Sequence, residues 1–391
     1  MIRRKDTRTV LGTDPAIMEG IESEYVGHGL AFGKFMPPTN GHLHFLEFAR
    51  QSCHKLTIMV CSLPDEPIAG EIRYQWMKEL FPDCNVVHHY APIQQEPTPT
   101  PDDPTGVTDI PFFESWRDSI KRHCPGEKFD ALFASEDYGF RMADIMDIKF
   151  IPVDIQRELV PISGTKMRNN PMEHWEHLHP VIRPYFLKRV AIVGPESCGK
   201  STLAQDLAAH FNTVSVGEYA RSYLDTCERQ IPGYIEKHMD ITDISTIARG
   251  QIRSEDSLAR QANRVMFSDT ELLTTEYWSR FYFNGACPPW VSKEAKSRQY
   301  DHYLLVDPRG VEDYYSPDAQ RPMPELSDRM MLFQWWKIKL DTMNKPYTII
   351  DGKSWKTRFD KAANAVETLI PELAKKPHRK PRKQQLGSKT L

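Results

Sequence analysis

No C-x-x-C pair occurs among the seven cysteines of this chain, Cys53, Cys61, Cys84, Cys124, Cys198, Cys227 and Cys287, and their number is odd. A disulfide framework and a zinc site are both disfavoured, and free thiols in a reducing compartment are expected. No apolar run approaches the ~20 residues that a membrane helix needs. The opening MIRRKDTRTV is not followed by the apolar stretch of a secretory leader. A cytoplasmic protein without a membrane partner is therefore expected. A dominant charge is also missing. Fifty Lys and Arg stand against 53 Asp and Glu, a formal net charge of −3. The whole surface is thus no attractor for nucleic acid, and anionic ligands must be held by local features. No internal repeat is visible.

What is present suits a globular protein: 40% hydrophobic and 26% charged residues in 391 positions, enough chain for two cores. Residues 1–28 read as a lead-in. From 29 the chain alternates short apolar strands with amphipathic helices. Strands are expected at Leu30–Phe35, Lys55–Cys61, Asn85–His89, Phe129–Ala134 and Phe150–Asp154, with helices at His42–Gln51 and Glu71–Leu80. That rhythm implies a parallel sheet covered on both faces. The proline-dense stretch 91–111 interrupts it and reads as a mobile surface loop, or as a flap over a site. Residues 171–188 read as a connector with one short helix. A second α/β pattern fills 189–373. The basic tail 374–391 lacks periodicity and reads as disordered, with weak nucleic-acid contact as the lesser reading. The fold class expected is α/β, two doubly wound parallel-sheet domains, at 29–170 and 189–373.

The second domain opens with Val190–Val193, a buried-strand run, followed by Gly194-Pro195-Glu196-Ser197-Cys198-Gly199-Lys200-Ser201 and then Thr202. This is G-x-x-x-x-G-K-[ST] between a strand and a helix, the context that a P-loop requires. Glycines let backbone N–H groups turn towards phosphate oxygens, and the helix N-terminus adds partial positive charge. Lys200 is suited to the β- and γ-phosphates of ATP, and Ser201 to Mg²⁺. Asp269 ends the apolar run Arg264–Ser268 and is the expected second Mg²⁺ ligand. Val214–Val216 reads as a strand that delivers Glu218, which either handles an acceptor hydroxyl or pairs with Arg221. Arg309, Arg321 and Arg329 follow a strand at Tyr303–Val306 and are candidates for a lid over the triphosphate.

In the first domain, Gly33-Lys34-Phe35-Met36-Pro37-Pro38-Thr39-Asn40-Gly41-His42 leads from strand to helix, where glycines allow close approach to phosphate. Ser163, Thr165 and Arg168, within Ile162–Arg168, offer hydroxyls and a guanidinium to the same anion. The pair Gly-x-Phe-x-Pro-x-(His/Thr)-x-Gly-His and Ile-Ser-x-Thr-x-x-Arg resembles the nucleotidyltransferase superfamily. That resemblance implies a Rossmann-like domain in which His42 stabilises charge on an α-phosphate. Thr39 stands where many relatives carry His.

A nucleotidyltransferase followed by a P-loop kinase, joined through Asn170-Pro171, His174-Trp175-Glu176 and Arg183-Pro184-Tyr185-Phe186, resembles the NadR family. Further echoes are Glu218-Tyr219-Ala220-Arg221, Asp269-Thr270-Glu271 and Thr274-Thr275. The resemblance implies a nicotinamide mononucleotide (NMN) adenylyltransferase joined to a ribosylnicotinamide kinase. It implies ATP, NMN, nicotinamide riboside (NR) and NAD as small-molecule partners, and leaves a homo-oligomer open. It suggests Trp116 as a ring that stacks on nicotinamide, with Arg73, Arg157 and Glu136 near the ribose or adenosine. Glu218, Tyr219, Arg221 or Asp269 would face the riboside. Enteric members also carry an N-terminal helix-turn-helix. About 28 residues precede the first strand here, so no DNA-binding domain is expected. The rival readings are a fusion acting on another phospho-alcohol and nucleoside, or an NAD-sensing binding protein.

Overall fold

The computed structural model describes residues 26–155, 164–310 and 320–375. The chain divides into two compact units. One runs to Asn170 and includes His177–Val181; the other comprises Pro171–Glu176 and the chain from Ile182. Each is built on one five-stranded sheet, and every strand pair in both sheets is parallel.

In the first unit the strands are β1 (Val26–Gly33), β2 (Cys53–Ser62), β3 (Asn85–Tyr90), β4 (Ala131–Ala134) and β5 (Lys149–Pro152), in the order β3-β2-β1-β4-β5. β1 begins at Val26 rather than Leu30, because Val26 already pairs with Cys53 in the ladder. It also ends at Gly33 rather than Phe35. Alternation along the strands divides the core between the two faces of the sheet. Ala31, Leu56, Ile58 and Val60 face one helical layer with Phe45 and Leu46. Leu30, Met59 and Cys61 face the other with Phe113, Trp116 and Ile120. The order reverses beside β1, so a crevice opens where its carboxyl end stands next to that of β4.

In the second unit the strands are β6 (Lys188–Val193), β7 (Val214–Val216), β8 (Val265–Asp269), β9 (His302–Val306) and β10 (Tyr347–Ile350), in the order β10-β9-β6-β8-β7. Val190 and Ile192 pack under the helices Lys200–His210 and Trp355–Leu369. Ala191 and Val193 face Leu272, Tyr303 and Trp336 on the opposite side. The segment 171–176, expected as part of a connector, is bound into this unit. Arg264, 1% exposed, donates from Nε to the Met172 carbonyl at 2.6 Å and from NH2 to Glu176 Oε2 at 2.9 Å. The Arg183 guanidinium lies over the Trp175 ring.

The stretch 91–111 is knotted rather than featureless. Asp103 accepts hydrogen bonds from the backbone and hydroxyl groups of both Thr105 and Thr108, at 2.6 to 3.1 Å. Asp109 accepts from Thr98 N–H and caps the helix Ile110–His123. Among the described residues, no helix is long and apolar enough to cross a membrane.

Candidate functional sites

In the first unit the loop after β1 enters the helix Asn40–Gln51 through a capping box. Thr39 is its N-cap. Its backbone N–H donates to His42 Nδ1 at 3.0 Å, and its hydroxyl lies 2.9 Å from the same nitrogen. An Nδ1 that accepts from a backbone N–H carries no proton, so the neutral ring keeps its hydrogen on Nε2. His42 is thereby set as a donor whose orientation the helix start fixes, with the Phe35 ring edge-on at 5.5 Å. Gly41 is the second residue of the same helix.

The downstream motif reaches this loop across 132 positions. The Arg168 guanidinium donates to the Met36 carbonyl and, at 3.1 Å, to Thr165 Oγ1. Gly164 is held against the same carbonyl, where an added Cβ would lie 3.0 Å from its oxygen. The two motifs therefore touch in the fold. Ser163 and Arg157 lie outside the described residues.

A cleft of about 690 Å³ opens beside the loop, walled by Gly33, Lys34, Phe32, Trp116, Tyr138 and, from the proline-rich stretch, Glu96 among others. Its lining does not include His42 or Arg168; residues 33–39 join the two groups. Trp116 does line this cleft, but as a core residue. It is 4% exposed, stacked on Phe32 and His89, and donates from Nε1 to the Gln94 carbonyl at 2.8 Å. That bond anchors the start of the proline-rich stretch to the wall. Phe35 is buried in the core. From the segment after β4, Tyr138 and Met142 line the cleft, and Glu136 does not. Arg73 needs a correction. It is fully buried and donates to the carbonyls of Ile68, Lys34 and Cys61 and to the Glu66 carboxylate. It braces the loop from beneath and offers nothing to a ligand. Periodicity could not show this, because any residue of an amphipathic helix N-terminus looks exposed until the loop it supports is known.

In the second unit the P-loop joins β6 to the helix Lys200–His210. Gly194 has φ +136°, and an added Cβ would meet the Val306 carbonyl oxygen at 2.7 Å. Gly199 caps the helix at φ +88°, with the Trp355 ring 2.9 Å from where its Cβ would be. Lys200 Nζ donates to the Pro195 carbonyl at 2.6 Å. β8 lies beside β6 with Asp269 opposite Ile192, which brings Asp269 to the base of the loop. Burial pushes the Asp269 carboxyl up, against the Lys200 charge and a hydrogen bond from Ser201. Its Oδ1 is buried without a hydrogen-bond partner. An orphaned carboxylate oxygen beside a serine hydroxyl, at a phosphate loop, is a donor set that fits Mg²⁺.

A cleft of about 1920 Å³ follows the loop, lined by Gly194, Glu196 to Thr202, Glu218, Arg221 and Arg321 among others. It shares Glu218, Thr270, Thr274, Trp278 and Gln320 with a second, mainly apolar pocket. That pocket is walled by Leu224, Ile235, Met239 and Ile247 and by the aromatic residues Trp278 and Tyr282. Glu218 thus stands at the junction. Burial, and then the Asp269 charge, push its carboxyl up to about 7, opposed by Lys200, Arg221 and Arg321. Arg221 also pairs with Asp225 at 3.7 Å.

Five expectations change. Cys198 is a core residue, 1% exposed, whose thiol donates to the Pro195 carbonyl. The Glu196 carboxylate accepts the Met323 N–H, so any phosphate contact there belongs to backbone. Tyr219 packs on Gly250 and is absent from both linings. Arg329 is 2% exposed on the helix Leu326–Thr342, away from the cleft lining, whereas Arg321 is in it. Arg309 clamps Asp307 instead of a ligand. Missed were Trp278 and Tyr282, on the helix that follows Thr270-Glu271, and Lys353, Ser354 and Trp355, which line the P-loop cleft after β10. Their one signal was adjacency to motif residues or to a strand end.

Comparison with known proteins agrees with this layout. A family model described as an AAA domain matches residues 189–358. The trifunctional NAD biosynthesis/regulator protein NadR of Escherichia coli (strain K12) is 26% identical over 362 residues, covering 88% of this chain and 83% of its own. That of Salmonella typhimurium is 27% identical with the same coverage. Two solved structures share the fold at 20% identity and a TM-score of 0.67: NadR in complex with NR, covering 91% of this chain and 98% of that one, and NadR in complex with NAD and AMP-PNP, covering 92% and 99%. With both motif pairs assembled in their own units, the chain is a homologue of the NadR proteins along 88% of its length.

Proposed function

We propose that this chain is a bifunctional enzyme of NAD synthesis, in which the second unit phosphorylates NR to NMN with ATP and the first adenylylates NMN with ATP to NAD and pyrophosphate. One observation carries the kinase half: the P-loop cleft runs into an apolar, aromatic-walled pocket, with Glu218 at their junction. A triphosphate on the loop and a flat base beside Trp278 would bring the ribose 5′-hydroxyl to that junction. Glu218 takes the hydroxyl proton as the oxygen bonds to the γ-phosphorus and the bond to the ADP oxygen breaks. Lys200 and the loop N–H groups hold the phosphates. Ser201 and Asp269 would hold Mg²⁺, which when bound neutralises phosphate charge.

In the first unit the reaction needs orientation and charge stabilisation more than covalent help. His42 presents Nε2–H to the α-phosphate of ATP. The NMN phosphate oxygen attacks that phosphorus, and pyrophosphate leaves. Lys34, at the cleft wall, offers a cation to the mononucleotide phosphate. The resemblance to NadR across both units supports the pairing of these steps.

The test is a coupled assay on the purified full chain with Mg²⁺ and ATP. NR is expected to give NMN and then NAD, and NMN alone to give NAD and pyrophosphate. Turnover of neither substrate, or a clear preference for another nucleoside or phospho-alcohol, would sink the reading.

A further inference from the structure

The phosphate loop contains an acid. A carboxylate next to a triphosphate is repulsive unless its charge is committed elsewhere. Glu196 is 9% exposed, and its Oε1 accepts the backbone N–H of Met323 at 2.7 Å, across 127 positions of sequence. A charge-assisted bond of that length is among the stronger single hydrogen bonds available to a protein. Met323 is itself buried, packed in the cluster that contains Val193, Leu332 and Trp336. The bond therefore ties the phosphate loop to the chain at the point where that chain enters the core.

The chain just before this point faces the cleft. Gln320 and Arg321 both line it, and Arg321 is close enough to Glu218 to lower its pKa. Only Pro322 separates Arg321 from Met323. Proline fixes its own φ and restricts the residue before it. A hold on the Met323 N–H is thus passed to Arg321 with little slack.

We propose that Glu196 is a positioning residue for Arg321. It fastens the Arg321-Pro322-Met323 segment to the phosphate loop, so that the guanidinium stands where charge develops on the transferred phosphoryl group. The inference rests on the kinase reading of this cleft. The same loop then holds the phosphates and places the arginine that stabilises them, so the two cannot drift apart.

The experiment is a double-mutant cycle in the full chain, read as steady-state NR phosphorylation. Arg321→Ala is expected to lower kcat by about a hundredfold, the scale for removing one preorganised donor to transition-state charge. Glu196→Ala is expected to lower kcat by about tenfold or more, with the KM for ATP changed by less than about threefold, because the interaction lost acts in the transition state. Glu196→Gln keeps an acceptor oxygen and is expected to stay within about threefold of wild type. The double variant is expected to be no slower than Arg321→Ala alone, since coupled residues are not additive. Losses that multiply, an unchanged Glu196→Ala, or a Glu196→Gln as impaired as Glu196→Ala would overturn the inference. Glu196→Met, which keeps side-chain bulk without the acceptor, replaces the alanine variant in the cycle if that one does not fold. A wild-type chain that phosphorylates no nucleoside counts against the kinase reading itself and removes this inference with it. An active wild type with independent losses overturns this inference alone.

Discussion

At the scale of single residues, two carboxylates near the P-loop compete for the role of base, and their surroundings separate them. Asp269, proposed above as a Mg²⁺ ligand, is tied to Ser201 and Lys200 at the base of the loop. Glu218 stands where the two pockets meet, its carboxyl pushed up to about 7. A base must be deprotonated, and a raised pKa leaves it protonated below that value. The kcat/KM for the nucleoside is therefore expected to rise with pH through about 7 and to level off above it, since that ratio reports the free enzyme. Glu218→Gln should lower kcat by about 10²-fold or more and abolish that limb. A pH profile that keeps the limb in Glu218→Gln would assign it to another group. Sequence alone could not make this separation, because both residues stand at or just past the carboxyl end of a strand and both are acidic. The same limit explains Arg73. An arginine in the first turn of a helix looks like a ligand residue, and only the packed loop shows its donors committed to Ile68, Lys34 and Cys61.

At the scale of elements, the periodic segments were legible and their attachments were not. β7 lies at Val214–Val216 as read, and β2 extends the expected Lys55–Cys61 to Cys53–Ser62. In β2 every residue from Leu56 to Ser62 is buried, as in a strand covered on both faces, whereas β7 is a three-residue edge strand. The proline-rich stretch was read as a mobile loop or a flap; the Asp103 knot within it depends on side chains whose partners have no period. Tyr219 likewise matched a family echo, but its ring fills the space over Gly250 in the helix Ile241–Leu258. A Cβ there would lie 2.1 Å from the ring. Gly250→Ala is therefore expected to displace Tyr219 and to destabilise the fold by about 1–3 kcal/mol, the usual scale of overpacking. Urea denaturation measures this, with a raised KM for the nucleoside as the functional sign, because Leu224 on the Tyr219 helix lines its pocket. An unchanged denaturation midpoint would mean that the tyrosine moves aside without cost.

At the scale of the whole molecule, each unit has among its described residues its own sheet, its own strand–loop–helix motif and its own cleft, and the two clefts share no lining residue. The chemistry is expected to separate in the same way. Lys200→Ala should abolish NR phosphorylation and leave NMN adenylylation within about twofold, since substitutions at sites with no shared partners act independently. His42→Ala should do the reverse. Loss of both activities from either change would show the sites to be dependent on one another. What the sequence by itself determined is the set of features written in local spacing: the strand–loop–helix order, the P-loop, the paired motifs around Thr39–His42 and Thr165–Arg168, and the resemblance to NadR. These depend on neighbours a few residues apart, or on patterns that survive without a partner. Which acid lines both pockets, which arginine lines the cleft, and what Glu196 holds were decided only by the tertiary structure. Each depends on a contact between residues far apart in sequence, such as the 127 positions from Glu196 to Met323, and only packing brings such groups within hydrogen-bond reach.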